Sequence, residues 1–428
     1  MVLSQIYIYV TRDIALFDKG VDLSYLLQTF IFQSFELFTS VHIGIQNMAN
    51  TADTEQTLRK LLNKIATEHK YEKPEIVIDE ILSGGANYTS KLFTVIIKEE
   101  HKEDLHLFAK IAAAGEAFRK DMPMDPYKAE QFVYTKLAKI YASLEEENEV
   151  LEEHRLYFTK FYGLDPSDYQ ETLVLENLLA HGYGPHDRLR SVNWEYASSA
   201  IADLAKMHAL FFAFSKQYPE EFEKVLSYLK LDWEEFKSMD VLFQKTKTVA
   251  LDNVKPEYKE ALENFLKNQK IPFSMYKPIR KTAIVHGDYR GDNLLNRVRE
   301  DGKVDIKIVD LQGLHGGTPV ADIIYFIFSE RLLDHYYTQL SAAMKRLNLD
   351  PEETYSREDF EFELKERLPY GLSLAVFMLP VITMDSKDTP AVDENLDMTT
   401  FDVDKTSNLY ADRLNGVVND YVKWGILK

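Results

Sequence analysis

The chain contains no cysteine in 428 residues, which removes disulfides, thiolate catalysis and cysteine-ligated zinc from its chemistry. Positive charge is also scarce. The 50 Lys and Arg against 69 Asp and Glu leave a formal charge of −19, which disfavours nucleic acid and anionic membranes as partners. A phosphate-binding site in such a chain must be locally basic or assisted by a metal. Long apolar runs are missing too. The longest near the N-terminus, residues 25–38, is broken by Gln28, Gln33 and Glu36, well short of the roughly 20 apolar residues that span a bilayer. No basic stretch precedes it, so it is a poor signal peptide. The expectation is a cytoplasmic protein without membrane insertion.

What the chain does have is apolar content: 45% hydrophobic residues, 12% of the chain aromatic, with 25 Tyr and 25 Phe. At this length that suits two lobes with substantial cores around a cleft. The most informative stretch is residues 284–310, IVHGDYRGDNLLNRVREDGKVDIKIVD. Residues 283–285 form a short apolar run ending at His286, and a polar loop holding Gly287, Asp288, Gly291 and Asn293 follows. Residues 294–298 read as a strand, Asp301-Gly302 as a hairpin turn, and Val304, Ile306 and Ile308 alternate as the return strand that delivers Asp310 beside Asn293.

Phosphoryl transfer from ATP needs this spacing. An Asp accepts or orients the acceptor hydroxyl, an Asn a few residues on holds a metal, and an Asp after the next strand bridges metal to phosphates. Amide and carboxylate oxygens from Asn293 and Asp310 suit Mg²⁺, a hard cation. Any one of these residues is ordinary turn punctuation; the joint spacing with a second Asp favours the chemical reading. His286 reads as an organiser of the loop.

Upstream, residues 76–82, 92–97 and 105–111 read as strands, with a glycine turn at residues 83–87 that begins at Ser83 and a Lys at position 110. A Lys inside the apolar run Leu107-Phe108-Ala109-Lys110-Ile111 is costly unless partnered. The alternative is a strand whose Lys faces water. A helix over residues 127–141 carries Glu130, the candidate partner; Glu116 competes from an expected loop. Residues 145–153 are an acidic run read as a solvated helix end or loop. Residues 158–162 and 171–175 alternate as strands, leading into Glu176-Asn177-Leu178 and the glycines at 182 and 184. An extended link there has backbone groups free for an adenine edge.

From residue 193 helices dominate. Residues 197–214 form an apolar-periodic helix whose His208 reads as a packed core histidine, residues 320–333 must be buried, and Asp322 either caps or braces the loop before it. Residues 386–405 read as a loop before a final helix ending near Trp424. Residues 1–47 have no sustained period. A clean helix begins after Met48, with Asp53 and Gln56 resembling a capping box and Leu58, Leu61, Leu62 and Ile65 on one face. The expected division is therefore an extension over 1–47, an N-lobe over 48–178 and a C-lobe over 179–428.

The chain resembles the ecdysteroid kinase-like proteins, which belong with choline kinases and aminoglycoside phosphotransferases in the protein-kinase-like fold. The likeness runs from about residue 51 to 428 and is carried by Leu173-Val174-Leu175-Glu176-Asn177-Leu178, Leu204 to Ala209, His286-Gly287-Asp288 to Asn293, Val309-Asp310-Leu311-Gln312 and Ala321 to Phe326. The resemblance implies an α+β fold of two lobes, with a small N-terminal antiparallel sheet and a larger, mainly helical C-terminal lobe. It further implies ATP and Mg²⁺ as cofactors, with Asp288 as base, Asn293 and Asp310 as metal ligands, and Lys110 and Glu130 as the phosphate-positioning pair. Ser83 would lie in the glycine turn over the nucleotide, and Glu176 to Leu178 would hold adenine. The implied partner is a hydroxylated small molecule, steroid-like or xenobiotic, bound by a monomer. Two departures bear on the acceptor: Arg290 stands where the family usually has Trp, and Leu311 where it has an aromatic residue. Arg290 could contact a charged substrate group or a phosphate, or pair with Asp292. The rival readings are a nucleotide- or ligand-binding pseudokinase and a choline- or aminoglycoside-type kinase.

Overall fold

A computed structural model describes residues 55–81, 89–122, 124–187, 190–231, 237–267, 269, 275–326, 329–385, 388 and 402–428. The chain divides into a compact unit over Met1–Lys60 and another over Leu61–Lys428. In the first, residues 55–60 are helical and Arg59 bonds Glu55 at 2.8 Å. The extension over 1–47, the Asp53 cap, the turn from Ser83 and most of the 386–405 loop lie outside the described residues. In the second unit residues 61–68 are helical, and Leu61, Leu62 and Ile65 are buried on the expected face.

Alternating apolar residues then build a five-stranded antiparallel sheet: β1 (Glu75–Ile81), β2 (Ser90–Lys98), β3 (Leu105–Ala112), β4 (Phe161–Asp165) and β5 (Thr172–Glu176), in the order β1-β2-β3-β5-β4. β4 begins three residues later than the alternation at 158–162 suggests. Phe158 faces the core from an unpaired extended segment, and pairing starts where Lys160 accepts the Glu176 N–H at 2.9 Å.

Between β3 and β4 the chain forms a short helix, Glu116–Asp121, and then a longer helical stretch. Glu116 is therefore helical, where a loop was expected, and it pairs with Lys120 rather than Lys110. The longer stretch opens at Pro126, with the Asp125 side chain accepting the N–H groups of Tyr127 and Lys128 at 3.1 Å. It is α-helical over Pro126–Phe132, a π turn over Val133–Leu137, and α-helical again over Ala138–Glu147. The extra residue in the π turn keeps Val133, Tyr134 and Leu137 all facing inward. The acidic run that follows is not wholly solvated. Glu145 is buried and accepts the Leu156 N–H at 2.8 Å, and burial pushes its carboxyl up to about 7.

The larger, helical part is built around the helix Trp194–Gln217, capped by Asn193, whose apolar run packs against the helix Glu330–Arg346. Phe211 and Phe214 are fully buried there, each contributing on the order of 2–3 kcal/mol. The apolar segment expected at 320–333 is two elements, Pro319–Phe326 and the helix starting at Glu330, because Ser329 caps the second by accepting the Leu332 N–H. Two short antiparallel pairs are set into this part: β6 (Ala283–Val285) with β9 (His315–Gly317), and β7 (Leu294–Val298) with β8 (Val304–Ile308). The long helix Arg357–Ile382 places Glu363 in the interior, where it accepts backbone N–H groups of Ile279, Arg280 and Lys281 and the hydroxyls of Thr318 and Tyr355. The final helix is Asn408–Lys423. Among the described residues no helix is long and apolar enough to cross a membrane.

Candidate active site

Lys110 sits mid-strand in β3, only 8% exposed, so the water-facing alternative is excluded. Its ammonium meets Glu130 at 2.8 Å and Asp310 at 2.5 Å. Burial works to lower the Lys110 pKa, but Asp310 and then Glu130 outweigh it and hold it well above the ordinary lysine value. The two acids diverge: burial pushes Glu130 up, whereas Asp310 ends below the usual carboxylate range because Lys110 overcomes the cost of burial. Asp310 also has a left-handed backbone, φ 60° and ψ 56°, a conformation that costs a non-glycine residue about 1 kcal/mol and turns the chain sharply out of β8.

The polar loop ahead of β7 is held from below by Asp322, at the start of the helix Pro319–Phe326. Its carboxylate accepts the N–H groups of His286 and Gly287 at 2.7 and 2.9 Å, and His208 bonds the first of the same oxygens at 3.3 Å. Burial opposes ionisation of Asp322, and His208 followed by His286 brings it below the ordinary range. Asp322 is thus the brace rather than a cap, and the buried His208 belongs to it. Tyr336 lies on the other ring nitrogen of His208 at 2.8 Å. His286 organises the loop as expected: Nδ1 accepts the Asp288 N–H at 3.3 Å, which makes Nε2 the protonated nitrogen donating to the Val309 carbonyl at 3.1 Å.

Two glycines press this loop against the one after β8. Gly287 has φ +80° and a Cβ built on it would sit on the Gly313 carbonyl oxygen, while a Cβ on Gly313 would come within 2.9 Å of the His286 carbonyl. Asp288 and Asp310 are carried on these two abutting loops.

Within the polar loop, Asp288 uses one oxygen for structure. Oδ2 accepts from the Asn293 amide at 2.9 Å and from Arg290 Nε at 3.1 Å, whereas Oδ1 is buried with no hydrogen bond of good geometry. The Tyr325 phenol lies within hydrogen-bonding reach of the Asp288 carboxylate, and burial followed by that charge raises its pKa well above the usual value. Asn293 spends its amide nitrogen on Asp288, which leaves its carbonyl oxygen for another ligand. Arg290 also binds Asp292, so it clamps both acids of the loop.

A cleft of about 370 Å³ joins these groups. Ile81, Leu92 and Phe108 come from the five-stranded sheet, Leu295 and Val309 from the β7–β8 hairpin, and Leu175 from β5; Lys110, Glu130, Asn293 and Asp310 stand at its polar end. Glu176, Asn177 and Leu178 also line it, and the Glu176 carboxylate pairs with His181 at 3.2 Å. An apolar slot with polar groups converging at one end suits a flat heterocycle carrying a charged tail. Of the site residues expected from sequence, Lys110, Glu130, Glu176, Leu178, Asn293 and Asp310 share this cleft, Asp288 is bonded to Asn293 beside it, and Ser83 lies outside the described residues.

The ecdysteroid kinase-like family model matches residues 84–349. The chain belongs to that family. The matched span encloses Lys110, Glu130, Glu176, Leu178, Asp288, Asn293 and Asp310, and leaves out Ile81 and Ser83. No curated protein sequence matches this ecdysteroid kinase-like chain. Among solved structures it is similar to an ethanolamine kinase of Plasmodium vivax, at 11% identity over 82% of this chain and 83% of that one, with a TM-score of 0.41. It is also similar to the GDP complex of wild-type aminoglycoside 2'-phosphotransferase-IIIa, at 9% identity over 84% of this chain and 97% of that one, TM-score 0.41. Similarity of that size says nothing of substrate.

Three groups went unread in the sequence of this family member. Gln312 accepts a hydrogen bond from Thr89 at 2.8 Å and reaches Asp310 at 3.4 Å, tying the residue ahead of β2 to the loop after β8. Tyr134 and Thr159 bring buried hydroxyls to the inner wall of the cleft. Gln312 stood in the quoted motif and its amide beside Asp310 was a usable signal; the other two have none, because a π turn and a strand end place them.

The donor set fits a hard divalent cation. An amide oxygen and a carboxylate are oxygen ligands of the right kind. Among the described residues no three His, Cys, Asp or Glu converge as a metal site, so such an ion would take its remaining ligands from phosphate oxygens and water.

Proposed function

We propose that this chain is a small-molecule kinase of the cytoplasm, moving the γ-phosphate of ATP to a hydroxyl of a lipophilic acceptor, an ecdysteroid or a related hydroxylated metabolite. The observation that carries this reading is the buried Lys110–Glu130–Asp310 group at the polar end of an apolar slot, beside a carboxylate oxygen without a well-formed hydrogen bond, Asp288 Oδ1. In this reading the slot takes adenine, with backbone groups of Glu176 and Leu178 at its edge, and Lys110, positioned by Glu130, holds the α and β phosphates. Asn293 and Asp310 would hold Mg²⁺, which would supply positive charge against the phosphates. The acceptor hydroxyl gives its proton to the Asp288 carboxylate as its oxygen bonds to the γ-phosphorus, and the bridging oxygen leaves with ADP. A metal-bound phosphate would also answer the charge of −19, since the metal would add positive charge where Lys110 already faces two carboxylates.

The test is transfer from radiolabelled ATP with Mg²⁺ to ecdysteroids, choline, aminoglycosides and plant phenolic glycosides, run beside Asp288→Asn. A labelled steroid made by the wild type and not the variant supports the reading. Transfer to choline or an aminoglycoside instead moves the acceptor class, and ATP binding with no transfer to any compound leaves a nucleotide-binding protein without turnover.

A further inference from the structure

The helix Pro319–Phe326 meets the polar loop along one face. Asp322 binds the His286 and Gly287 N–H groups at 2.7 and 2.9 Å, and the Phe326 ring stands edge-on to Tyr289, with centroids 5.5 Å apart. Residues 322, 325 and 326 share a helix face through their spacing of three and four. That face therefore grips the residues on both sides of Asp288, and Tyr325 stands on it, its phenol within hydrogen-bonding reach of the Asp288 carboxylate. On the other side of the helix, Ile324 packs so closely on the long helix that a Cβ at Gly371 would come within 2.6 Å of it, which fixes the helix in place.

The plain account of Tyr325 is an aromatic ring that fills space, and the ring does pack against the core. A phenylalanine does that as well, as Phe326 beside it shows. The hydroxyl needs a separate account. Asn293 and Arg290 hold Asp288 Oδ2 from within the loop, so both move when the loop moves. Tyr325 is the side chain that reaches the same carboxylate from the framework. A carboxylate offers about four lone-pair positions, so the phenol and an acceptor hydroxyl can donate to it together.

We propose that Tyr325 is a positioning residue for the phosphoryl transfer: its phenol donates to the Asp288 carboxylate and ties it to the helix, so that it stays aimed at the acceptor hydroxyl. This rests on the kinase reading above and deepens it. Tyr325 moves no proton itself. Burial and the Asp288 charge keep its hydroxyl protonated, and the proton of the acceptor goes to Asp288.

The experiment follows phosphate from radiolabelled MgATP to the best acceptor of the panel above and to water, with the full chain as wild type, Tyr325→Phe, Asp288→Asn and the double variant, and a thermal melt of each. Tyr325→Phe keeps the ring and removes the donor. Its kcat is expected to fall at least about tenfold, the effect of losing a hydrogen bond to a charged group. Its KM for MgATP should stay within about twofold, because Tyr325 is not among the residues that line the nucleotide cleft, and its melting temperature should hold. In the Asp288→Asn background the same change should alter kcat by less than about threefold, since there is no longer a base to aim. The same loss in both backgrounds, or a loss that comes with a raised KM for MgATP or a lowered melting temperature, makes Tyr325 a packing residue and overturns the inference while the kinase reading stands. A Tyr325→Phe kcat within about twofold of the wild type overturns it too. If the wild type passes phosphate to neither acceptor nor water, the kinase reading falls and the inference falls with it.

Discussion

Glu363 and Asp288 are both acids set against backbone loops of the helical part, yet they are finished differently. Glu363 has five donors for its two oxygens, at 2.7–3.3 Å, and is fully buried. Asp288 has two donors on one oxygen and the Tyr325 phenol beside its carboxylate, and its side chain is 26% exposed. A buried acid with every lone pair used holds a structure together, because removing any partner leaves an unsatisfied group. A partly exposed acid with fewer donors can take up another, and in the proposed reading that is an acceptor hydroxyl. Exposure and the number of donors together separate the structural acid from the working one.

Substitutions can break that comparison. Asp288→Asn should leave the melting temperature nearly unchanged and lower kcat by about 10³-fold, read by phosphate transfer alongside a thermal melt; a large loss of stability would make Asp288 a structural acid like Glu363. Glu363→Gln should do the reverse. Its NH₂ would face donors, and a loss of about 2–3 kcal/mol in denaturant unfolding is expected with activity per folded molecule intact. Glu145 sharpens the contrast, being buried and held by the Leu156 N–H. Its folded carboxyl lies at about 7 against an ordinary 4.5, so the folded state holds the proton more tightly, and stability is greatest below the ordinary value and falls as pH rises through about 7. Glu145→Gln keeps an acceptor for the Leu156 N–H and should remove that slope, gaining about 1 kcal/mol at about pH 8 once screening by nearby water is allowed for. The smallest effect is expected from Gln312→Ala, which cuts the tie to Thr89: about 0.5–1 kcal/mol of stability, and a KM for MgATP raised about threefold with kcat held.

The sequence made legible what is local. Asp288, Asn293 and Asp310 lie on one loop and one hairpin, so their spacing alone announces their convergence, and the cost of a bare ammonium in β3 pointed from Lys110 to Glu130. The helical part was readable from apolar periodicity, as at Trp194–Gln217. What depended on distant chain was not. Glu363 sits in the stretch Glu361-Phe362-Glu363-Leu364-Lys365-Glu366, which reads as an exposed helix face, and only the loop at 279–281 makes it an interior anchor. Glu145 stood in an acidic run that looked solvated until Leu156 folded over it. The sequence offers Asp292 as a partner for Arg290, but the hold of Arg290 on Asp288 is set by the conformation of the loop, which spacing does not specify.

The abutting glycines of the two loops restrict how this chain can vary. Every missense change at codon 287 or codon 313 adds a Cβ, and at each position the added atom meets the backbone of the facing loop. Neither loop can be remodelled alone by drift at these positions, and a compensating change elsewhere would have to push the facing main chains away from each other. A lineage that had abandoned the chemistry would be released from this pair, so a side chain at either position in a descendant would record that the loops no longer need to lie together.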